Sequence, residues 1–170
     1  MNDQLSHTTT PFTDEKFPIV LLCDGVQGPA NVGALFRISD ALGVSELIFC
    51  NAEINFNSNR LIRTSRNTVT KTPYRVSENS LSEIENLRTR NYQIVALELT
   101  NTSIPIESFD CESENKIALL IGGENHGISS EVLQEIDIAF HINMYGKNSS
   151  MNVVQATGIA LHCIIQRLNK

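Results

Sequence analysis

Five of the chain's thirteen lysines and arginines (Arg60, Arg63, Arg66, Lys71 and Arg75) fall in one short segment, and no Asp or Glu occurs from Arg60 to Ser77. The chain as a whole is acidic, with a net charge of −6. An acidic protein with one concentrated basic stretch is suited to hold phosphate at a defined place and unsuited to unselective adhesion to nucleic acid. Arg60, Arg63 and Arg66 recur every third residue, so on a helical turn they would form one stripe. A solvated loop balanced by acids elsewhere in space would have the same composition. A second polar set is spread over three segments: Asn31 and Arg37, then Glu124, then Ser150 and Asn152. Taken singly, each has a plain account. Arg37 could pair weakly with Asp40 three residues on, Glu124 could sit in a turn, Ser150 could cap a helix, and Asn152 could be a polar group in a first helical turn. Their joint setting is what points to a site. Gly122-Gly123-Glu124-Asn125-His126-Gly127 leaves the apolar run Ala118–Ile121, and Asn143–Asn152 leaves Ala139–Ile142. Loops that leave buried strands are where α/β sheets bind ligands.

The elements that must position these loops alternate between strand and helix. Phe17–Cys23 (FPIVLLC) is a continuous apolar run, hence a strand buried on both faces. After a turn over Asp24–Pro29, Ala30–Leu42 carries Val32, Leu35, Phe36 and Leu42 on a helical face, and Gly43 takes the C-terminal glycine position. Strands are expected at Ser45–Cys50, Tyr92–Leu97, Ile117–Ile121 and Ile138–Ile142, with helices at Leu81–Arg90 and Ser129–Glu135. A closing helix should run from about Ser150 to Leu168, with Asn148 or Ser149 as N-cap. Val154, Gly158, Leu161, Ile165 and Leu168 line one side of it, and Met151, Ile159, Ala160 and Cys163 the other. A helix apolar on two sides needs core on both, or core and a second subunit. The fold class is α/β, a mostly parallel sheet flanked by helices.

Length and composition fit this. At 170 residues, 41% hydrophobic and 19% charged, the chain is an ordinary globular domain large enough for a real core. Residues 1–16 are polar and read as a disordered N-terminal tail, leaving 17–170 as the folded domain. No apolar run approaches the ~18 residues of a membrane span. Cys23, Cys50, Cys111 and Cys163 form no C-x-x-C pair, and they read as reduced thiols, three of them in or beside apolar runs, in a cytoplasmic protein. His126, His141 and His162 stand alone, without zinc spacing, so no metal is expected. Neither G-x-G-x-x-G nor G-x-x-x-x-G-K-[ST] is present, which weighs against a dehydrogenase or a P-loop enzyme.

Three segments taken in order resemble one family. Pro29-Ala-Asn31-Val-Gly33-Ala-Leu-Phe-Arg37-Ile-Ser-Asp-Ala-Leu-Gly43 is similar to motif 1 of the SpoU (TrmH-type) RNA methyltransferases. Ile121-Gly122-Gly123-Glu124-Asn-His-Gly127-Ile128 is similar to motif 2, and Ile142-Asn-Met144-Tyr-Gly146-x-x-Ser149-Ser150-Met151-Asn152-Val153 to motif 3. The resemblance spans about Pro18 to Leu168. It implies the SPOUT α/β fold with a deep C-terminal trefoil knot, a rare exception to the rule that chains avoid knots. It implies S-adenosylmethionine as cofactor, held near Leu97, Gly122, Ile142, Met144 and Met151, and a homodimer with the closing helix in its interface.

The activity implied is methyl transfer to a ribose 2′-hydroxyl of tRNA or rRNA, tRNA before rRNA. The hydroxyl is a poor nucleophile and must lose its proton as it attacks. The resemblance gives Arg37 the role of acting on that hydroxyl with help from an RNA phosphate. A guanidinium is almost never deprotonated, so two versions stay open: a base in a strongly perturbed site, or a positive clamp on phosphate and ribose. Asn31 would orient Arg37 or substrate, Glu124 and Asn152 would hold the active-site loops, and Ser150 would bond backbone or cofactor. The basic segment from Arg60 to Arg75 would bind RNA. It lies where the family carries Ser-x-Gly-Ala, and here reads Thr64-Ser65-Arg66-Asn67-Thr68. Val154-Gln155 after the third motif is a second departure. A base-methylating relative, or a non-catalytic RNA-binding one, shares the fold.

Overall fold

The computed structural model describes Phe12, residues 14–148 and residues 150–169. Most of the polar segment read as a tail, residues 1–11 and 13, lies outside the described residues, as does Ser149. Seven strands form one sheet: β1 (Phe17–Asp24), β2 (Val44–Cys50), β3 (Tyr74–Ser77), β4 (Tyr92–Leu97), β5 (Ile104–Pro105), β6 (Lys116–Gly122) and β7 (Ile138–His141). Their order across the sheet is β3-β2-β1-β6-β4-β7-β5, and every neighbouring pair is parallel. Five helices cover it: α1 (Pro29–Ala41), α2 (Asn59–Ser65), α3 (Ser80–Thr89), α4 (Ser130–Leu133) and α5 (Val153–Leu168).

The continuous apolar run of β1 has a direct cause. Ile19, Leu21 and Cys23 belong to one core cluster, shared with α1 and α5, while Val20 and Leu22 belong to a second, shared with α3 and α4. A strand covered on both faces cannot alternate polar and apolar residues. Cys23 and Cys50 are buried free thiols. Burial raises both, Cys50 to about 11, so neither is a nucleophile near neutral pH. At the ends of β1 and β2 a buried polar knot takes over from the apolar core. The Asp24 carboxylate accepts from Ser80 Oγ (2.6 Å) and from Asn51 Nδ2 (2.7 Å), tying both strand ends to the start of α3.

Of the elements that escape a periodicity reading, α2, β3 and β5, the first two matter for placing the basic residues. The first is α2, which lies directly on α1. A Cβ on Gly33 would stand 2.5 Å from the Leu61 carbonyl oxygen and collide with Thr64 Oγ1. Gly33 is therefore what lets α2 approach, and it sits two residues from Asn31. Gly33→Ala should cost about 1–3 kcal/mol of overpacking, only partly offset by the ~1 kcal/mol of helix propensity that alanine restores. A lower urea midpoint at unchanged slope is the expected result; a variant as stable as the parent would refute this role for Gly33.

The second is β3, a short edge strand. It turns Arg75 inward, where its guanidinium bonds both carboxylate oxygens of Glu83 and, through Nε, Glu46 Oε1 at 2.9 Å. These hydrogen bonds from Arg75 hold the Glu83 carboxyl below the usual carboxylate range. Glu83 is buried and Arg75 about one-third exposed, so the pair is more than surface decoration. A depressed folded-state value means the stabilisation is complete above the ordinary glutamate value of ~4.3 and is lost as pH falls below it. Glu83→Gln should lower stability by about 1–2 kcal/mol at pH 7, and the gap from wild type should close as pH falls from ~5 to ~3. Thermal melts across that range would test it, a gap constant with pH being the contrary result.

The closing helix starts later than its pattern suggests. Asn152 is its N-cap, with the side-chain oxygen accepting from Val154 N at 2.9 Å. Asn148 and Ser150 remain in the loop before it. Its inner face buries Thr157, Ala160, Leu161, Ile164, Ile165 and Leu168. Its outer side is not fully covered: Ile159 is 40% exposed. No helix among the described residues is long and apolar enough to cross a membrane.

Candidate functional site

The strand order reverses direction at β1 and β6, and the loops leaving the carboxyl ends of β6, β4 and β7 enclose a cavity of about 1020 Å³. The β6 exit loop is folded tightly back on itself. Gly123 N donates to the Asp24 carbonyl at 2.8 Å, and Gly127 N to the Gly123 carbonyl at 2.9 Å. A Cβ on Gly122 would run into the Gly127 backbone, and one on Gly123 would lie 2.5 Å from the Gly25 carbonyl oxygen. Only glycines fit here. The glycine-rich motif is thus a packing requirement that seats Glu124 at the rim.

Leu97, Gly122, Ile142, Met144 and Met151, the five positions expected around a cofactor, all line this cavity, as do Glu124, Ser150 and Asn152. Asn152 joins the three motifs with one side chain. Its Nδ2 donates to Asn31 Oδ1 at 3.1 Å and makes a longer 3.5 Å contact with Glu124 Oε1, while its Oδ1 caps α5. Asn31, Glu124 and Asn152 come from α1, the β6 exit loop and the α5 cap, 121 residues apart at the extreme. Each bond is solvent-facing and individually modest, so the arrangement depends on the set.

Arg37 is placed differently. It neither lines the cavity nor bonds the Asn31–Glu124–Asn152 group. It lies on the exposed side of α1, six residues past Asn31, about 9 Å along the helix axis at 1.5 Å per residue. Asp40 is not its ion-pair partner, and no salt bridge among the described residues involves it. It stands ready for a group brought by something else.

The basic stripe changes shape in three dimensions. Arg60 and Arg63 lie on α2 and are exposed, as is Lys71 beyond it. Arg66 is the C-cap of α2 in the left-handed region, with φ of 49°, so it leaves the helical row. Arg75 departs from the set altogether, because Glu46 and Glu83 neutralise it. Acids outside the basic segment balance that one cation, and the other four remain open.

Charge is therefore segregated. Glu98 and Glu124 are the carboxylates lining the cavity, and no lysine or arginine lines it among the described residues. A group of five exposed cations sits outside it, Arg37 on α1, Arg60 and Arg63 on α2, and Arg66 and Lys71 after α2. Such a molecule suits a cationic or polyhydroxylic ligand within and a polyanion against its surface. Two cavity residues had no signal in the sequence: Glu98, a polar residue directly after a strand, and His141, whose Nδ1 lies 2.9 Å from Ser103 Oγ.

A model of the SpoU rRNA methylase family matches residues 18–162. The 23S rRNA (guanosine(2553)-2′-O)-methyltransferase RlmP of Bacillus subtilis is 27% identical over 143 residues, 84% of this chain and 56% of the relative. The tRNA (guanosine(18)-2′-O)-methyltransferase of Borreliella burgdorferi is 30% identical over 148 residues, 82% of this chain and 62% of the relative. The chain thus spans less than two thirds of the length of these two relatives. The AdoMet-bound rRNA methyltransferase from Sinorhizobium meliloti superposes with a TM-score of 0.81 at 26% identity, over 92% of this chain and 59% of that one.

Proposed function

This chain belongs to the SpoU rRNA methylase family, and on that premise we propose that it moves a methyl group from S-adenosylmethionine to a ribose 2′-hydroxyl of RNA, with tRNA put before rRNA. The observation that carries the reading is the charge segregation around one cavity where three motif loops are tied by Asn152. The lining fits the cofactor. Leu97, Ile121, Ile142, Met144, Met151 and Val153 offer an apolar bed for an adenine, and the two carboxylates suit a sulfonium cation. When bound, S-adenosylmethionine supplies an electrophilic methyl group.

The protein's part is positioning. Asn152 and Asn31 fix the rim of the cavity against α1, so that a ribose resting on α1 faces the cofactor. Glu124 holds the β6 loop to that rim, and Ser150 bonds backbone or cofactor beside it. Arg37, exposed and unpaired, forks onto a phosphate and the target ribose. The exposure supports the clamp version of its role, with the hydroxyl proton leaving through the open side of the site. Arg60, Arg63, Arg66 and Lys71 hold flanking phosphates. The C-terminal knot typical of this fold belongs to the same reading, supported by Ile142, Met144, Asn148, Ser150 and Met151 lining one cavity with the ends of β6 and β4, and by α5 packing on α1.

A homodimer through α5 completes the reading. Ile38, Val154, Gly158, Ile159 and Cys163 line an apolar groove of about 720 Å³ between α1 and α5. Light scattering should give twice the monomer mass.

The test of function is transfer of tritiated methyl from S-adenosylmethionine to total tRNA and, separately, to rRNA, followed by nucleoside mass spectrometry. A 2′-O-methylnucleoside in the tRNA pool is expected. Label only in rRNA would reverse the substrate ranking, and a methylated base would replace the ribose reading.

A further inference from the structure

Glu98 is a charged side chain outside the three motifs, and beyond the general negative charge it lends the cavity the mechanism gives it no contact of its own. It follows β4 directly, and β4 lies between β6 and β7 in the sheet. Its N–H donates to the Phe140 carbonyl at 2.9 Å, extending the pairing with β7 by one residue and fixing the side chain at the sheet rim. The carboxylate lines the cavity, and each of its oxygens takes one backbone donor: Oε1 from Leu99 N at 3.1 Å, Oε2 from Ile128 N at 3.3 Å. An ionised carboxylate can accept about four hydrogen bonds, so its capacity is half used. No salt bridge among the described residues neutralises it. The chain makes room for it: Gly127 has φ of 63°, and a Cβ there would lie 2.8 Å from Glu98 Oε2.

Its place along the cavity says what it faces. The apolar loop with Ile142 and Met144 leaves β7, and the loop with Glu124, bound to Asn152, leaves β6. If the adenine occupies the first and the reacting sulfur faces the second, the sugar between them lies over the end of β4. We propose that Glu98 accepts hydrogen bonds from the ribose hydroxyls of the adenosyl cofactor, two vicinal donors matched to two carboxylate oxygens. The inference rests on the cofactor reading above.

Calorimetric binding of S-adenosylhomocysteine, S-adenosylmethionine and S-(2′-deoxyadenosyl)homocysteine to wild type and to Glu98→Gln tests it. Wild type should bind the deoxy compound about tenfold more weakly than S-adenosylhomocysteine, the loss expected for one hydrogen bond to a charged acceptor. Glu98→Gln should bind those two within about threefold of each other. The deoxy comparison on wild type needs no variant to fold. Equal weakening of both compounds by Glu98→Gln would make Glu98 only a clasp on the 122–128 loop and overturn the proposal. Weakening of S-adenosylmethionine alone would also overturn it, in favour of attraction to the sulfonium charge. If wild type binds none of the three, the cofactor reading itself fails; if it binds all three equally well, only the role of Glu98 does.

Discussion

Arg37→Ala should abolish methyl transfer, with a fall of about 10³-fold in rate, in the range for loss of a group that acts on the reacting centre. Affinity for S-adenosylmethionine should stay within about twofold, because Arg37 does not line the cavity. RNA affinity should drop modestly, with the salt dependence reduced by about one phosphate contact. This pattern separates an enzyme from a binding module on the same fold, in which only RNA affinity would respond. Arg37→Lys then separates the two versions of the role. As a clamp, lysine keeps the charge but loses the planar fork, so part of the rate should return with an unchanged pH profile. As a base, lysine would impose its own ionisation, and the profile would move. Single-turnover transfer with tritiated cofactor between pH 6 and 10 measures both. A full-rate Arg37→Ala enzyme would remove Arg37 from the chemistry.

How far the sequence foretold the molecule varies with what each segment answers to. Strand β1 was legible because its run of seven apolar or sulfur-bearing residues can only be a strand covered on both faces. Helix α2 was not: its amphipathic signal is only Leu61 and Ser65 turned inward, and it owes its place to contact with Gly33 across a gap in sequence. β3 and β5 are short edge strands whose pairing partners, not their own residues, define them. Helix α5 begins at Val153 with Asn152 as N-cap, later than the start at about Ser150, capped by Asn148 or Ser149, that its pattern predicts. Asn148, Ser150 and Met151 line the cavity instead of winding into the helix. The same limit applies to the site. The loops could be read as strand exits, but which of them meet is decided by the strand order, which no local pattern encodes. The basic stripe was legible as charge and not as geometry, since Arg75 is neutralised by Glu46 on the neighbouring strand and Glu83 on α3, a meeting that only the strand pairing and the turn into α3 create.

Asn152→Asp should separate the structural duty of this residue from its positioning duty. The aspartate keeps the acceptor that caps α5 at Val154 N, and a carboxylate at a helix N-terminus is favoured. It loses the donor to Asn31 Oδ1 and sets a second negative charge about where Nδ2 now lies 3.5 Å from Glu124 Oε1. Both groups are exposed, so repulsion should take back only part of what the cap retains, and net stability should fall by less than ~1 kcal/mol. Asn152→Ala removes the cap as well and should cost about 1 kcal/mol. Activity should follow the other order of importance. With the link between the rim and α1 broken, target and cofactor are no longer held in register, and small misplacements cost about 10²-fold. Asn152→Asp should therefore lose at least as much transfer activity as Asn152→Ala while unfolding at a higher urea concentration. Adding Glu124→Gln to the aspartate variant removes the like charge and restores a donor beside it, so part of the lost rate should return. If the double variant is no faster than Asn152→Asp alone, Glu124 does not act through Asn152 and must serve the site independently. If Asn152→Asp transfers methyl at the wild-type rate, the tie between the three loops is structural only.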